Sequence, residues 1–233
     1  MFKFRDGEQV EGVLNLTMEK DAAILMADLS GYTAMTDVHG GASAAKIVTK
    51  YLELVGRAAS GQSKIVQRIG DQVVMISDHA EDLASTILKL KSYILEENHF
   101  LPIHAGLHFG PIHHDNENLF GSTINVASRI VNLAGRGQVF CSSAFVTAIG
   151  SGLFSFSSVG RFKFKNVLKE VEIFELIDAA ASTYPVDPVC HMQIAEASQF
   201  VFQWAGKTFH FCSEHCRDIF QADPHAFVQT SEA

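Results

Sequence analysis

No apolar stretch of this 233-residue chain approaches the roughly 18–20 residues needed to cross a bilayer, so no membrane span is expected. Basic residues are scarce: 18 Lys and Arg stand against 26 Asp and Glu, a formal net charge of −8. That deficit argues against a nucleic-acid polymer or an anionic membrane surface as partner, since both are bound through massed positive charge. A phosphate ligand would need positive charge only locally. The opening MFKFRDGEQVEG is charged and has no apolar core, so no secretory signal is expected and the chain reads as soluble and cytoplasmic. Cysteine is rare. Of the four, Cys141, Cys190, Cys212 and Cys216, three fall near the C-terminus. In a reducing compartment that clustering favours a metal site over a disulfide framework. What is plentiful is apolar material, at 47% hydrophobic against 19% charged residues, which excludes a disordered chain. The length suits one large or two unequal domains.

Along the chain, residues 1–20 are mixed and polar and read as a lead-in. AAILMADL (22–29) is a buried strand ending at Asp28 and the turn SGYT. Residues 41–59 carry a helical period through Ile47, Tyr51, Leu52, Leu54 and Val55. SKIVQRIGDQVVMIS (63–77) is a hairpin hinged at Gly70-Asp71, EDLASTILKLKSYILEE (81–97) a second amphipathic helix, and IHAGLHFG (103–110) a strand. HHDNENLFG (113–121) reads as a polar loop, and residues 122–135 as a helix stopped by Gly135. VFCSS, FSSVGRFKF and EVEIFEL supply further strands. The order β-α-β-β-α-β favours an α+β fold with helices on one sheet face. Residues 179–184 read as a linker, leaving a tail at 185–229 that is rich in Phe, Cys and His and too short to be stable comfortably by burial alone. Docking on the larger domain or a bound metal would remedy that.

Two carboxylates stand at strand ends, Asp28 in MADLSGYT and Asp71 in RIGDQVVM. There a carboxylate can enter a cleft without breaking a sheet. A pair on adjacent strands can hold two Mg²⁺ or Mn²⁺ ions, hard cations that prefer oxygen ligands and share them with phosphate. Ser30, Gly31, Tyr32 and Thr33 offer backbone N–H groups to an anion. Asn125 and Arg129, four apart on a helix, share a face and could hold a sugar and a phosphate. Taken singly, each aspartate could merely satisfy a turn and the pair could be an ordinary polar helix face. His108 reads as structural, Cys141 as a core thiol, and His113 and His114 as solvated. Arg161 and Lys163 could add positive potential or simply form a solvated edge.

Together ADLSGYT, IGDQVVM, GLHFGP and FGSTINVASRI, in this order over residues 21–178, resemble the catalytic domain of class III adenylate and guanylate cyclases. The resemblance implies a ferredoxin-like βαββαβ core and a head-to-tail homodimer with active sites at its interface. Asp28 and Asp71 then stand where the family binds two metal ions. Asn125 and Arg129 match the pair that orients ribose and stabilises the transition state from the opposite protomer. Lys165 resembles the lysine on the triphosphate, although the following glycine is Asn166 here. The implied reaction closes ATP to 3′,5′-cyclic AMP with loss of pyrophosphate. The purine-reading positions are Gln67 and Asn118, two neutral amides where a lysine and an aspartate or threonine are usual. An amide donates and accepts and can rotate, so ATP is the leading substrate and GTP or dual use the alternative.

In the tail, Cys190 precedes Cys212-x₃-Cys216, with a hairpin between them turning at Ala205-Gly206. Ser213 is placed to cap a helix whose first turn holds Cys216. Three soft ligands suit Zn²⁺, Cu(I) or another soft metal, with a fourth position open. His191, His210 and His215 are near; strand alternation puts His210 on the face of Cys212. DPVCHM and AGKTFHFCSEHC resemble a YHS domain, a small module thought to bind metal, with His191 in place of its usual glycine. The combined expectation is a homodimeric purine nucleotide cyclase with a metal-binding regulatory tail. The rival readings are a metal sensor whose cyclase-like domain is a weak dimerisation scaffold, and a nucleotide receptor without turnover.

Overall fold

A computed structural model describes residues 20–115, 118–150, 152–178, 184–194 and 198–228, with only the backbone of 114, 115 and 118–120. The lead-in before residue 20 and most of the linker (179–183) lie outside the described residues.

The chain begins with β1 (Lys20–Leu29), whose centre is buried on both faces. α1 (Tyr32–Ala58) follows and is broken at Gly40, where φ of 78° and ψ of 165° leave the helical region. A left-handed φ of that kind favours glycine. β2 (Lys64–Ile69) and β3 (Gln72–Ser77) form the expected hairpin, and α2 (Ala80–Glu96) leads to β4 (Ile103–Asp115). Next come β5 (Asn118–Phe120), α3 (Ser122–Leu133), β6 (Val139–Ser142), α4 (Ser143–Ile149), β7 (Ser155–Phe162) and β8 (Val171–Ile177). The strands form one sheet in the order β2-β3-β1-β4-β6-β8-β7, with β5 paired to β4. The segment β2-β3-β1-β4 is the antiparallel βαββαβ core that the element order predicts.

Alternation along β1 divides the core. Ala23, Leu25, Ala27 and Leu29 join α1, α2 and α4 in one buried cluster. Ala22, Ile24 and Met26 face Ala127 and Val131 of α3 on the other side. Helices therefore cover both faces, not one as the sequence reading expected. The fit of α3 depends on Gly106 of β4, where a Cβ would stand 2.3 Å from the backbone nitrogen of Val131. Three local expectations also change. His113 lies on a continuation of β4, not in a loop, because β5 pairs with residues 113–115. α3 ends at Leu133 with an extended Ala134, so Gly135 is not its cap. The segment after Ser142 turns into α4, with the Ser142 hydroxyl accepting the Phe145 N–H.

The tail folds as the hairpin β9 (Val201–Trp204) and β10 (Lys207–His210), then α5 (Glu214–Ala222) and a 3₁₀ turn at Pro224–Ala226. Ala205 and Gly206 both have positive φ, 49° and 75°, which suits a two-residue hairpin turn. The tail docks on the large domain. Its Val189, Cys190, Met192, Phe211, Cys216 and Phe220 belong to the same buried cluster as Leu25, Leu54 and Leu101. Gln193 donates its backbone N–H to Phe100 O at 2.8 Å. The Gln193 side-chain amide donates to the carbonyls of Ile94 and Glu97 at the end of α2. Among the described residues no helix is long and apolar enough to cross a membrane.

Candidate functional site

Asp28 is the one half-buried residue in the otherwise buried second half of β1, and it lies opposite His104 of β4. Ala27 is in register with Val73, so the β2–β3 turn carries Asp71 to the end of β1. Gly70 makes that turn with φ of 63°. The two carboxyl groups lie within hydrogen-bonding reach of each other. Burial first, then Asp28 beside it, pushes Asp71 up to about 7, while the N–H groups of Asp71 and Leu29 pull the other way. The Leu29 N–H also donates to Asp28 Oδ1 at 3.1 Å. The same negative field reaches Tyr51, whose buried hydroxyl has no partner among the described residues and holds its proton well above the usual tyrosine range. Burial is the larger cause of that rise, and the two carboxylates add to it. Crowded, half-buried oxygen donors short of positive charge fit a hard divalent cation.

The following loop is tightly held. Ser30 donates its N–H to Pro102 O at 2.7 Å, and its hydroxyl lies 2.9 Å from His104 Nδ1. Gly31 has φ of 91° at the start of α1, and any Cβ there would strike the His191 side chain. Tyr32 packs partly against the core, and Thr33 is exposed.

Asn125 and Arg129 are both exposed on α3, while their neighbours Val126, Ala127, Ile130 and Val131 are buried. They point outward, and among the described residues no hydrogen bond or ion pair ties them to Asp28 or Asp71. Among the described residues the chain brings the two carboxylates together, and no hydrogen bond or ion pair joins the amide–guanidinium pair to them. Gln67 is exposed on β2 beside the register shift between Ile65 and Gln67. Asn118 lies in β5, and its side chain is outside the described residues. Lys165 is exposed after β7, and Asn166 has φ of 65°. Asn166 thus adopts the left-handed turn that a glycine would take, as asparagine tolerates. A cleft of about 300 Å³ opens along the seam with the tail, lined by residues including Lys91, Arg136 and Gln193 but by none of these site residues.

A second cluster joins tail and large domain. Cys190 Sγ and Cys216 Sγ each lie 3.5 Å from Cys212 Sγ. His39 Nε2, from α1, lies 3.4 Å from Cys212 Sγ and 3.6 Å from Cys216 Sγ. All four ligand atoms fall within 4.8 Å of one another. Asp187 arranges the loops: its carboxylate accepts from the N–H groups of Val189 and Cys190, and from Cys212 at 2.8 Å. Ser213 caps α5 by accepting the Cys216 N–H. Hydrogen bonds from Cys190 and then Cys216 hold Cys212 far below the ordinary thiol range. Soft donors with one ready thiolate fit a soft metal ion.

Residues 186–231 match the YHS domain family. A pH-sensitive adenylate cyclase of Mycobacterium tuberculosis is 24% identical over 168 residues, 70% of this chain and 42% of that protein. An adenylate cyclase of Streptomyces griseus is 26% identical over 132 residues, 55% of this chain and 32% of that one. The chain thus spans less than half the length of these relatives. Among solved structures, an adenylyl cyclase of P. aeruginosa superposes with a TM-score of 0.61 at 15% identity, covering 70% of this chain and 96% of that structure. An adenylate cyclase of Trypanosoma brucei gives a TM-score of 0.63 at 15% identity, covering 75% and 93%. The large domain has the fold of these adenylate cyclase structures, and the tail matches the YHS domain family.

The fourth residue at the YHS cysteines is His39 of the cyclase domain, where the sequence reading expected His210. The expectation extended strand alternation from His210 to Cys212, but β10 ends at His210 and the chain bends before α5. His215 is exposed. His191, with φ of 64°, turns instead to Gly31 and the Arg136 guanidinium. Nothing near the cysteines in sequence points to His39. Its only signal is the Gly-Gly that follows it and breaks a helical stretch.

Proposed function

We propose that this chain is a purine nucleotide cyclase that converts ATP to 3′,5′-cyclic AMP and pyrophosphate, working as a homodimer. The observation that carries the reading is the Asp28–Asp71 pair, two carboxylates pressed together at neighbouring strand ends. Such mutual repulsion is costly unless cations occupy the site. Two Mg²⁺ or Mn²⁺ ions held there would lower the pKa of the ribose 3′-hydroxyl and neutralise the leaving pyrophosphate. The 3′-oxygen forms its bond to the α-phosphorus as the bond from that phosphorus to the β-phosphate bridging oxygen breaks, and the hydroxyl proton passes to solvent water while pyrophosphate carries away the electron pair of the broken bond. Asp28 and Asp71 fix the reacting end. The N–H groups from Gly31 to Thr33 and the Lys165 ammonium receive the triphosphate; the Ser30 N–H, expected to join them, is already given to Pro102 O. Asn125 orients the ribose, and Arg129 stabilises charge developing on the α-phosphate. Gln67 and Asn118 read the purine edge.

The second protomer enters because Asn125 and Arg129 are exposed on α3 and, among the described residues, no hydrogen bond or ion pair ties them to Asp28 or Asp71. The elements bearing substrate residues also expose large apolar side chains. Ile65 and Ile69 flank Gln67 with 42% and 58% of their surface open, and Leu168 near Lys165 is 95% open. A twin protomer seated there would cover them and deliver the α3 pair to the site. The three cysteines of the YHS domain bind a soft metal ion in this reading.

The test is incubation of purified protein with ATP or GTP and Mg²⁺ or Mn²⁺, with products separated by chromatography. Cyclic AMP should form, and Asp71→Ala should lower its rate by at least about 100-fold. Predominant cyclic GMP would reassign the purine. No cyclic product from either nucleotide would favour the scaffold reading.

A further inference from the structure

The YHS cysteines, read above as soft-metal ligands, do not close a site by themselves: the fourth donor within reach belongs to the other domain. We propose that the metal centre is shared, with His39 of the cyclase domain completing the Cys190, Cys212 and Cys216 set, so that loading it clamps the Tyr32–His39 segment of α1.

Three observations converge on this. The first is spacing. With metal–sulfur bonds of about 2.3 Å and metal–nitrogen bonds of about 2.0–2.1 Å, tetrahedral angles put sulfurs roughly 3.8 Å apart and sulfur and nitrogen roughly 3.5 Å apart. Here the sulfur pairs through Cys212 stand at 3.5 Å, and His39 Nε2 stands 3.4 and 3.6 Å from two sulfurs. The second is local backbone. Gly40 breaks α1 directly after His39, which separates the Tyr32–His39 turns from the rest of the helix. The third is a second contact at the opposite end of those turns. His191, next to the ligand Cys190, packs on Gly31 so closely that a Cβ there would lie 2.4 Å from the His191 Cβ. The YHS domain therefore grips this segment at both ends. Its start is continuous with the Asp28–Gly31 loop, so metal occupancy in the tail is coupled to the order of the loop that meets the triphosphate.

The test uses the full chain, reduced and metal-free, titrated separately with Zn²⁺ and, anaerobically, with Cu(I) against a chromophoric chelator. One ion should bind per chain. His39→Ala should weaken binding at least 10-fold, Cys216→Ser at least as much, and His210→Ala should leave affinity unchanged. Co²⁺ substitution reports the ligand set independently: its visible bands should change in position and intensity in His39→Ala. Amide hydrogen exchange over residues 32–39 should slow on metal addition in the wild type and not in His39→Ala. A metal-free circular dichroism spectrum matching the wild type shows that the variant has folded. Wild-type affinity and Co²⁺ bands in His39→Ala would overturn the shared centre and leave a three-cysteine tail site. Exchange over 32–39 that ignores the metal in the wild type would overturn the coupling. If neither ion binds the wild type, the soft-metal reading of the YHS domain falls with it.

Discussion

At His108 one buried imidazole links stability to pH. Its Nδ1 lies 2.6 Å from Ser142 Oγ, which already accepts the Phe145 N–H, so the serine hydroxyl proton is available to the ring only while Nδ1 is neutral. Burial pushes His108 down to about 4 from its ordinary 6.5. Between those values the unfolded chain binds the extra proton and the folded chain does not. The stabilisation is therefore complete above about pH 6.5 and drains away as pH falls toward 4, by about 2–3 kcal/mol. Urea unfolding at pH 7.5 and pH 5 should show that loss, and His108→Gln should reduce the difference between the two conditions. The structural role of His108 was legible, because a histidine on a strand outside the expected ligand groups has little else to do. The turn at Asn166 was not: the sequence offered only a departure from the family's glycine, and the structure shows the asparagine at φ 65°, the conformation that glycine would have supplied. Nor was His39. It lies 173 residues from Cys212, and no local pattern connects positions that only tertiary packing brings together.

Among the elements, α3 has the most demanding fit. It carries Asn125 and Arg129 outward and rests its other side on β4 at Gly106. A Cβ at that glycine would meet Val131 N at 2.3 Å and Ala127 O at 2.9 Å, both backbone atoms that cannot rotate aside. Gly106→Ala should therefore destabilise the protein by about 1–3 kcal/mol, read as a lower urea midpoint. Because α3 must lift off the sheet to accept the methyl group, cyclase activity should also fall at temperatures where the variant remains folded. The helix itself was plain in the sequence from its apolar period. The face it covers was not, because βαββαβ order fixes only where α1 and α2 go, and a helix added after the core is free to take the other side. α4 escaped notice for a different reason. Seven residues are barely two turns, too few for a 3.6 period to stand out from the apolar strand VFCS that runs into it.

At the level of the whole molecule, the proposed function divides the chemistry of the large domain between two chains. If Asp28 and Asp71 of one protomer work with Asn125 and Arg129 of its twin, a lesion in either group disables both sites of a homodimer. Asp71→Ala and Arg129→Ala should each be nearly inactive alone. A heterodimer of the two variants holds one site with both lesions and one site with none. Random exchange makes half the dimers mixed, and half the sites in those are intact, so the mixture should regain about a quarter of wild-type activity. Recovery should follow the rate of subunit exchange and vanish on dilution below the dimer dissociation constant. A site built within one chain predicts no recovery at any ratio, because each variant then carries its defect in every site it forms. The exposure of Arg129 favours the first outcome: among the described residues its guanidinium is held by no hydrogen bond or ion pair, to Asp28 and Asp71 or to any other group.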